Sequence, residues 1–415
     1  MNANGNSSCN IVILGGGYAG LMAALSLRAR RRNQRVVLVN AIDEFVERVR
    51  LQEAIARPIR ARIPSLSRLL AGSGIEFVQG KVSSFNAGER RVGVTASDGS
   101  SCEIGFERAL YALGSAADVE AVAGASEHAY RLDPGDGALA VETLREVLHH
   151  NAGQRLRVVV VGGGASGVEA ASEVKTHWPH HAVTLLSQGR CASFNDAAVE
   201  RAMRSELLRL GVELRDQEGA RVVLPTSVLT STGHRIEYDI CICTAGLRSP
   251  DLAGAAGLAT DAKGRILVDP LLRSVSHPHV FAAGDAARPM APTGAPYRQS
   301  VFAALTSGAF AAEVITDPLP ESHRPFSFST YGQGISLGSR GVGFLSYPDD
   351  RKRLFIIGGR TGLHTRNLFV WLSTYLLNCE RNRPGFFSSW IWPGQRRVSW
   401  QEASQAMQVN RMQMA

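Results

Sequence analysis

The chain has 415 residues, 45% of them hydrophobic and 20% charged, and a formal net charge of +8. That length suits two to three domains with ample core, and the balance is that of an ordinary soluble enzyme rather than a disordered or fibrous chain. Apolar runs stay short of the 18 residues that a spanning helix needs, and the polar start MNANGNSSCN lacks an apolar signal core, so neither a membrane span nor export is expected.

The first organised stretch is Asn10 to Gly20, NIVILGGGYAG. The apolar run Ile11 to Leu14 predicts a strand. Gly15, Gly17 and Gly20 follow at G-x-G-x-x-G spacing, then helix-forming Leu21 to Leu25 and a second apolar run, Val36 to Val39. Strand, glycine turn, helix and strand make a βαβ unit of the dinucleotide-binding kind. Gly15 allows the tight turn, Gly17 admits a pyrophosphate, and Gly20 lets the helix sit close to the strand. Tyr18 and Ala19 open the helix, whose free N–H groups and partial positive charge face the phosphates.

Asn40 closes this unit, where an acid commonly holds both ribose hydroxyls of an adenosine. An amide accepts one hydroxyl and donates to another oxygen. In the segment Ala41 to Glu53, the polar residues Glu47, Arg48, Arg50 and Gln52 interleave with Phe45, Val46, Val49 and Leu51. It reads either as an amphipathic surface helix or as a wall beside a flavin ring, with Glu47 and Arg50 its candidate site residues. Gly74 to Val82 and Val92 to Ala96 read as strands of a small hairpin with Ser97-Asp-Gly99 as the turn. Ala109 to Gly114, ALYALG, is an apolar strand that delivers Ala112 and Gly114 to its end. A linker, Ser115 to Gly137, and a helix, Ala138 to His150, follow.

The βαβ unit then recurs. Val158 to Val161 leads into Gly162-Gly-Gly164-Ala-Ser-Gly167-Val-Glu169, a helix, and the strand Val183 to Leu186. Gly15 to Asn40 and Gly162 to Ser187 are both 25 residues apart. Two such units predict two dinucleotides, and the usual physical reason is to bring a nicotinamide and a flavin face to face. The second unit ends Leu186-Ser187-Gln188-Gly189-Arg190, without an acid. Ser187 and Arg190 suit a 2′-phosphate that an acid would repel, which favours or tolerates NADPH; the alternative is that Arg190 is a solvated loop residue.

Asp239 to Gly246, DICICTAG, repeats the pattern of an apolar strand ending in glycine. Cys241 and Cys243 alternate in it and so share one face, as buried structural thiols. The six cysteines form no C-x-x-C or C-x4-C pair, which argues against a dithiol centre or a zinc site. After the short strand Gly264 to Asp269, Val280 to Ala286 delivers Gly284 and Asp285 to a helix start. There a carboxylate accepts a ribitol hydroxyl while N–H groups meet a phosphate. A helix from Gln299 to Ile315 follows. Beyond Pro318 the pattern changes to short strands, Gly334 to Leu337, Gly341 to Leu345 and Leu354 to Ile357.

Residues 351–415 hold ten positive and two acidic side chains, a net of +8, so residues 1–350 sum to zero. The tail runs Leu368-Phe-Val-Trp-Leu-Ser-Thr-Tyr-Leu-Leu377, then Arg381, Arg383, Phe386, Phe387, Trp390, Ile391, Trp392, Arg396, Arg397 and Trp400. Basic side chains mixed with Trp and Phe describe an interfacial anchor over residues 365–400, each basic group contributing about 1 kcal/mol near an anionic leaflet. The alternatives are a helix packed on the body or a homodimer contact. Nucleic acid is not expected, since no recognised binding module accompanies the charge.

GGGYAG, LYALGS, GGGASGVE, CTAGLRS and VFAAGDAA stand in the order seen in the two-dinucleotide-binding-domain flavoprotein superfamily. Within it, TAGLRS, YRQSVFAA and GISLGSRGVGF resemble type II NADH dehydrogenases and their apoptosis-inducing-factor-like relatives. The resemblance implies an α/β fold with two Rossmann-like domains and a C-terminal α+β region. Residues 1–125 and 265–325 would bind FAD, 126–264 would bind NAD(P), and 326–415 would form the C-terminal domain with a membrane-surface anchor. It implies FAD at Gly15, Gly17, Gly20 and Asn40, with Val82 near the adenine and Asp285 at the ribitol. It implies NAD(P)H at Gly162, Gly164, Gly167, Glu169, Ser187 and Arg190. Glu169 would place the nicotinamide and Gln299 would serve the acceptor side. The family's quinone-side stretch reads A-Q-x-A-x-Q; here it is Arg298-Gln-Ser-Val-Phe-Ala303, so Gln299 remains and Ala303 replaces the second glutamine.

The expectation is an FAD-dependent NAD(P)H dehydrogenase that passes electrons to a quinone-like acceptor, cytoplasmic and peripheral on the inner face of the cell membrane. A soluble flavin reductase of a biosynthetic pathway, and a redox-sensing flavoprotein without fast turnover, remain open beside it.

Overall fold

The computed structural model describes residues 7–30, 34–59, 62–133, 137–194, 196–317, 323–327, 331–346, 352–389 and 398–414. The first βαβ unit is Ser7–Leu14, the helix Tyr18–Leu27 and Val36–Asn40. Its strands lie side by side and parallel, Ile11 against Val36 and Leu14 against Val39. Ile75–Gln79 extends this sheet on one side and Ser101–Tyr111 on the other, both parallel. Val280–Ala282, far along the chain, adds a further parallel strand beside Ala109 to Tyr111. The antiparallel ribbon Lys81–Asn86 and Arg91–Thr95 hangs from the first half of Ser101–Tyr111. The turn at Ser97 to Gly99 thus joins Arg91–Thr95 to Ser101–Tyr111, while Gly80 interrupts the expected strand Gly74 to Val82.

Every residue of the helix Tyr18–Leu27 is buried, because it is sandwiched between this sheet and the helix Val301–Ile315. A Cβ at Gly308 would be driven into the Ala19 carbonyl oxygen, so the two helices cross nearly backbone to backbone. Fully burying each Leu, Ile, Val or Met here contributes about 1.5–3 kcal/mol.

The second sheet is parallel throughout, in the order Val212–Arg215, Ala182–Leu186, Arg157–Val161, Ile240–Cys243, Tyr130–Arg131. Its edge strand Tyr130–Arg131 lies inside the stretch expected to be a linker. That stretch also pairs Ala116–Ala117 with Leu247–Arg248 where the chain crosses between the two sheets. Ile240 and Ile242 face one core; Cys241 and Cys243 face the other, under the antiparallel sheet Ala220–Leu224, Ser227–Thr230 and Arg235–Glu237. Both thiols are buried, as their alternation predicts, and burial raises the pKa of each.

The C-terminal region is the antiparallel sheet Tyr331–Leu337, Arg340–Ser346 and Lys352–Gly358, followed by the helix Gly359–Asn382. Ile335, Leu337, Val342 and Phe344 join the core of the second sheet; Leu376 and Leu377 join that of the first. The region therefore straddles both βαβ units. Among the described residues no helix is long and apolar enough to cross a membrane.

Candidate functional site

The two glycine turns superimpose in their logic. Gly15 and Gly162 sit at φ +101° and +116°, the left-handed half of backbone space that L side chains rarely adopt. A Cβ at Gly20 would collide with the Gly15 carbonyl oxygen, and one at Gly167 with that of Gly162, so each helix starts hard against its own turn. Gly17 and Gly164 are the opposite. Both are exposed, and a Cβ at either would meet nothing within 4 Å. Neither is assisted by a side-chain cap, so the first N–H groups of Tyr18–Leu27 and Ala165–His177 face open space with the positive ends of two helix dipoles. These are cradles of the shape and charge that two pyrophosphates require, and the residues present fit both dinucleotides.

Around the first cradle, Asn40 Oδ1 accepts from the Gly16 amide at 2.8 Å and its Nδ2 donates to the Ile42 carbonyl at 2.8 Å. Ala112 abuts Gly15, and Gly114, at φ +70°, carries the chain into Ser115. Ser115 Oγ donates to Asp285 Oδ2 at 2.8 Å. Asp285 does not stand at the start of an α-helix, contrary to the expectation. It lies in a single 3-10 turn, Gly284–Ala286, and the helix that follows begins at Val301, capped by the Ser300 side chain. The intervening loop returns, with Gln299 Nε2 donating to the Asp285 carbonyl oxygen at 3.2 Å. Burial raises the Asp285 carboxyl above the ordinary range despite the Ser115 hydroxyl. Val82, half-buried, sits in Lys81–Asn86 where the register with Arg91–Thr95 shifts.

Around the second cradle, Thr244 Oγ1 donates to the Val161 carbonyl at 3.0 Å and Gly246 adopts φ +83°, mirroring Ala112 and Gly114. Ser187 packs against Gly163, whose Cβ position lies 2.5 Å from the serine side chain. Arg190 Nε pairs with Glu200 at 2.5 Å, although its side chain remains 60% exposed.

Between the cradles lies a buried charged cluster. The segment Arg48–Ile55 is a 3-10 helix with Arg50 to Ile55 buried, not a surface helix. Glu47 Oε1 accepts from the Arg62 amide at 3.2 Å and from Arg50 at 3.4 Å; Tyr18 and Phe45 stack edge to face beside it, 4.9 Å between ring centres. Glu53 binds Arg50 at 3.2 Å and Arg366 of the C-terminal helix at 2.8 Å. Burial alone would raise the Glu53 carboxyl, yet hydrogen bonds from Arg366 and Arg50 hold it at about 2. Glu169, on the first turns of the second unit's helix, accepts from the Ser336 amide at 2.8 Å and from Gln52 at 3.4 Å, with Arg366 at 3.9 Å. Burial pushes its carboxyl up to about 7, against the attraction of Arg366.

Glu47, Arg50 and Glu169 are thus gathered at one junction, whereas Gln299 lies on the Asp285 side and Arg190 on an exposed loop. Glu53, Ser115, Ser336 and Arg366 were not singled out by sequence. Ser336 does lie within GISLGSRGVGF, but Arg366 carries no local signal. Of the aromatic tail, Trp371 and Trp400 are exposed; Trp390 to Arg397 fall outside the described residues.

A family model described as pyridine nucleotide-disulphide oxidoreductase matches residues 9–307. The chain is 31% identical over 302 residues to an NADH dehydrogenase-like protein of Mycobacterium tuberculosis, covering 67% of this chain and 72% of that one. It is 27% identical over 377 residues to an alternative NAD(P)H-ubiquinone oxidoreductase of Arabidopsis thaliana, covering 80% and 72%. Its fold is similar to that of NDH2 from Plasmodium falciparum in complex with NADH, at a TM-score of 0.70 and 13% identity, covering 91% and 98%.

Proposed function

This chain belongs to the pyridine nucleotide-disulphide oxidoreductase family, and on that premise we propose that it oxidises NAD(P)H and delivers the electrons to a quinone-like acceptor. It is an FAD-dependent NAD(P)H oxidoreductase. When bound, FAD supplies the hydride acceptor for the nicotinamide and the electron donor for the second substrate. The protein's part is positioning and electrostatics. The first cradle would hold the flavin's pyrophosphate, with Asp285 at its ribitol and Asn40 shaping the adenosine end. The second would hold the nicotinamide nucleotide.

The observation that carries this reading is the convergence of Glu169 and Arg48–Ile55. A carboxylate leaving the second cradle's helix meets, through Gln52, the segment that leaves the first cradle's last strand. A carboxyl held near neutrality can keep or release a proton as charge changes beside it, and Glu169 is suited to orient the nicotinamide at that point. The quinone-like acceptor would approach by Gln299 and the C-terminal helix. Curated relatives that include an NAD(P)H-ubiquinone oxidoreductase support that choice. Leu368, Trp371 and Tyr375 form an exposed stripe on one face of the helix Gly359–Asn382, with Leu354 and Phe355 exposed on the preceding strand. We infer that this face rests on an anionic membrane surface, where such an acceptor resides.

A second reading is favoured by Ala303, which removes the second glutamine of the acceptor stretch: a soluble small molecule would then take the electrons. The deciding experiment is anaerobic stopped-flow bleaching of the flavin by NADH and by NADPH, followed by reoxidation with a short-chain ubiquinone. Fast bleaching and fast reoxidation support the quinone reductase. Fast bleaching with sluggish reoxidation transfers the assignment to a soluble acceptor.

A further inference from the structure

Arg366 is 97% removed from solvent, a position that arginine reaches only when its charge is matched. It gets there because the helix Gly359–Asn382 lies close against the C-terminal sheet. A Cβ at Gly334 would stand 2.5 Å from the Arg366 Cβ, and one at Gly332 2.7 Å from the Phe369 ring. The glycines of Tyr331–Leu337 thus form a trough that lets the Arg366 side chain run past the sheet. Its guanidinium emerges between two other elements, the 3-10 helix Arg48–Ile55 and the helix Ala165–His177. Nη1 donates to Glu53 at 2.8 Å, Nη2 donates to the Val49 carbonyl at 2.7 Å, and Nη2 stands 3.9 Å from Glu169 Oε1.

Glu169 therefore has a charged or hydrogen-bonding neighbour on each element packed against it. Arg366 faces it from the C-terminal helix, Gln52 and Glu53 from Arg48–Ile55, the Ser336 amide from the C-terminal sheet, and Glu173 from its own helix. Glu173 in turn faces His177 and Arg57. The only cation within 4 Å of Glu169 among the described residues is Arg366. Glu53 competes for that cation and holds the shorter contact.

We propose that Arg366 is a positioning residue that sets the proton affinity of Glu169, so that the C-terminal helix is a working part of the nicotinamide site rather than only a lid or an anchor. Glu53 serves as the counterweight, drawing the guanidinium partly away and leaving Glu169 half-compensated. The arrangement ties the docking of the C-terminal helix to the charge at the junction of the two cradles. It rests on the placement of Glu169 at the nicotinamide.

The test uses the full-length flavoprotein and two readouts. The first is infrared titration of the protonated-carboxyl band, assigned by its disappearance in Glu169→Gln. The second is the pH profile of flavin bleaching by NADH. In Arg366→Met the Glu169 midpoint should rise by about one unit or more, the scale set by an opposite charge at this separation. Arg366→Lys should restore most of that shift, which a merely structural role would not predict. Glu53→Gln should move the midpoint down, by freeing the guanidinium and removing a like charge, and it tests the inference even if Arg366→Met does not fold. An unmoved infrared midpoint in both Arg366→Met and Glu53→Gln overturns the proposal. If the infrared midpoint moves as expected while Glu169→Gln leaves the bleaching profile intact, Arg366 does set Glu169, and it is the placement of Glu169 at the nicotinamide that fails.

Discussion

Asn40 reaches back across its own βαβ unit to accept the Gly16 amide at 2.8 Å, and its other polar atom donates to Ile42. The position where an acid commonly meets a ribose is here committed to holding the glycine turn itself. Gly16 is buried, so its N–H has no water to fall back on. Asn40→Ala should therefore lower the unfolding free energy of the apoprotein by about 1–3 kcal/mol, the cost of a stranded buried donor. Urea unfolding of the flavin-free protein measures it. Asn40→Asp keeps the acceptor and should retain most of that stability.

Gly20 and Gly167 offer a paired test of which cradle holds which dinucleotide. In each, a Cβ would meet the carbonyl oxygen of the turn's first glycine. Gly20→Ala should purify with little or no flavin absorbance. Gly167→Ala should keep its flavin yet bleach at least tenfold more slowly with NAD(P)H, since a displaced helix N-terminus forfeits the phosphate contacts. The reverse pattern would exchange the roles of the two units.

Glu169 makes stability fall as pH rises, the reverse of the usual carboxylate. Its folded pKa is about 7 against an ordinary 4.5. Between those values the native protein holds a proton that the unfolded chain has released, so unfolding gains favour with increasing pH. The full effect is on the order of 3 kcal/mol. Glu53, held at about 2, works oppositely: its contribution is present above the ordinary value and is lost as pH falls towards 2. The difference between urea midpoints at about pH 5 and about pH 7.5 should shrink in Glu169→Gln, leaving the part owed to other buried carboxyls such as Asp285.

What was legible in the sequence was what is local. Both glycine turns, their helices and strands, and the shared face of Cys241 and Cys243 follow from spacing over fewer than thirty residues. The burial of Arg48–Ile55 did not, because its alternating charges mimic an amphipathic surface helix. Those charges are tolerable inside because Arg50 pairs locally with Glu47 and Glu53, and Arg366 from a distant helix completes the set. The Glu53–Arg366 pair spans 313 residues and no periodicity records it. Tyr130–Arg131 was hidden for a related reason: a two-residue edge strand leaves no pattern, and its parallel partner Ile240–Cys243 lies over a hundred residues away. At Asp285, strand, glycine and acid carry the pattern of a helix start, and only the loop to Val301 distinguishes the single 3-10 turn from one.

The Arg190–Glu200 pair governs the choice between nicotinamide nucleotides if Arg190 is the 2′-phosphate ligand. At 2.5 Å, Glu200 already occupies the guanidinium, and a 2′-phosphate would have to displace it. Such an exposed pair is worth up to about 1 kcal/mol. Glu200→Ala should thus raise the NADPH-to-NADH ratio of kcat/KM by up to about fivefold. Arg190→Ala should lower it. Equal ratios in all three proteins would return Arg190 to the status of a solvated loop residue.

The exposed stripe of the C-terminal helix is the feature on which the membrane reading stands. Leu368, Trp371 and Tyr375 are each roughly half exposed, and the two rings stack at 4.7 Å to form one broad apolar surface. The opposite face of the same helix, with Arg366, Val370, Ser373, Leu376 and Leu377, is buried against the body. The helix cannot roll over to hide the stripe without pulling Arg366 away from Glu53. Trp371→Glu combined with Leu368→Glu places two carboxylates on the outer face and leaves the inner one untouched. Flavin content and bleaching by NADH should stay at parent values. Sedimentation with vesicles containing about a third phosphatidylglycerol should fall at least tenfold, since each added acid meets an anionic leaflet and each lost side chain removes apolar area from it. Unchanged sedimentation would mean that the stripe is not the membrane contact. Absence of sedimentation in the parent itself would favour the soluble acceptor over the quinone.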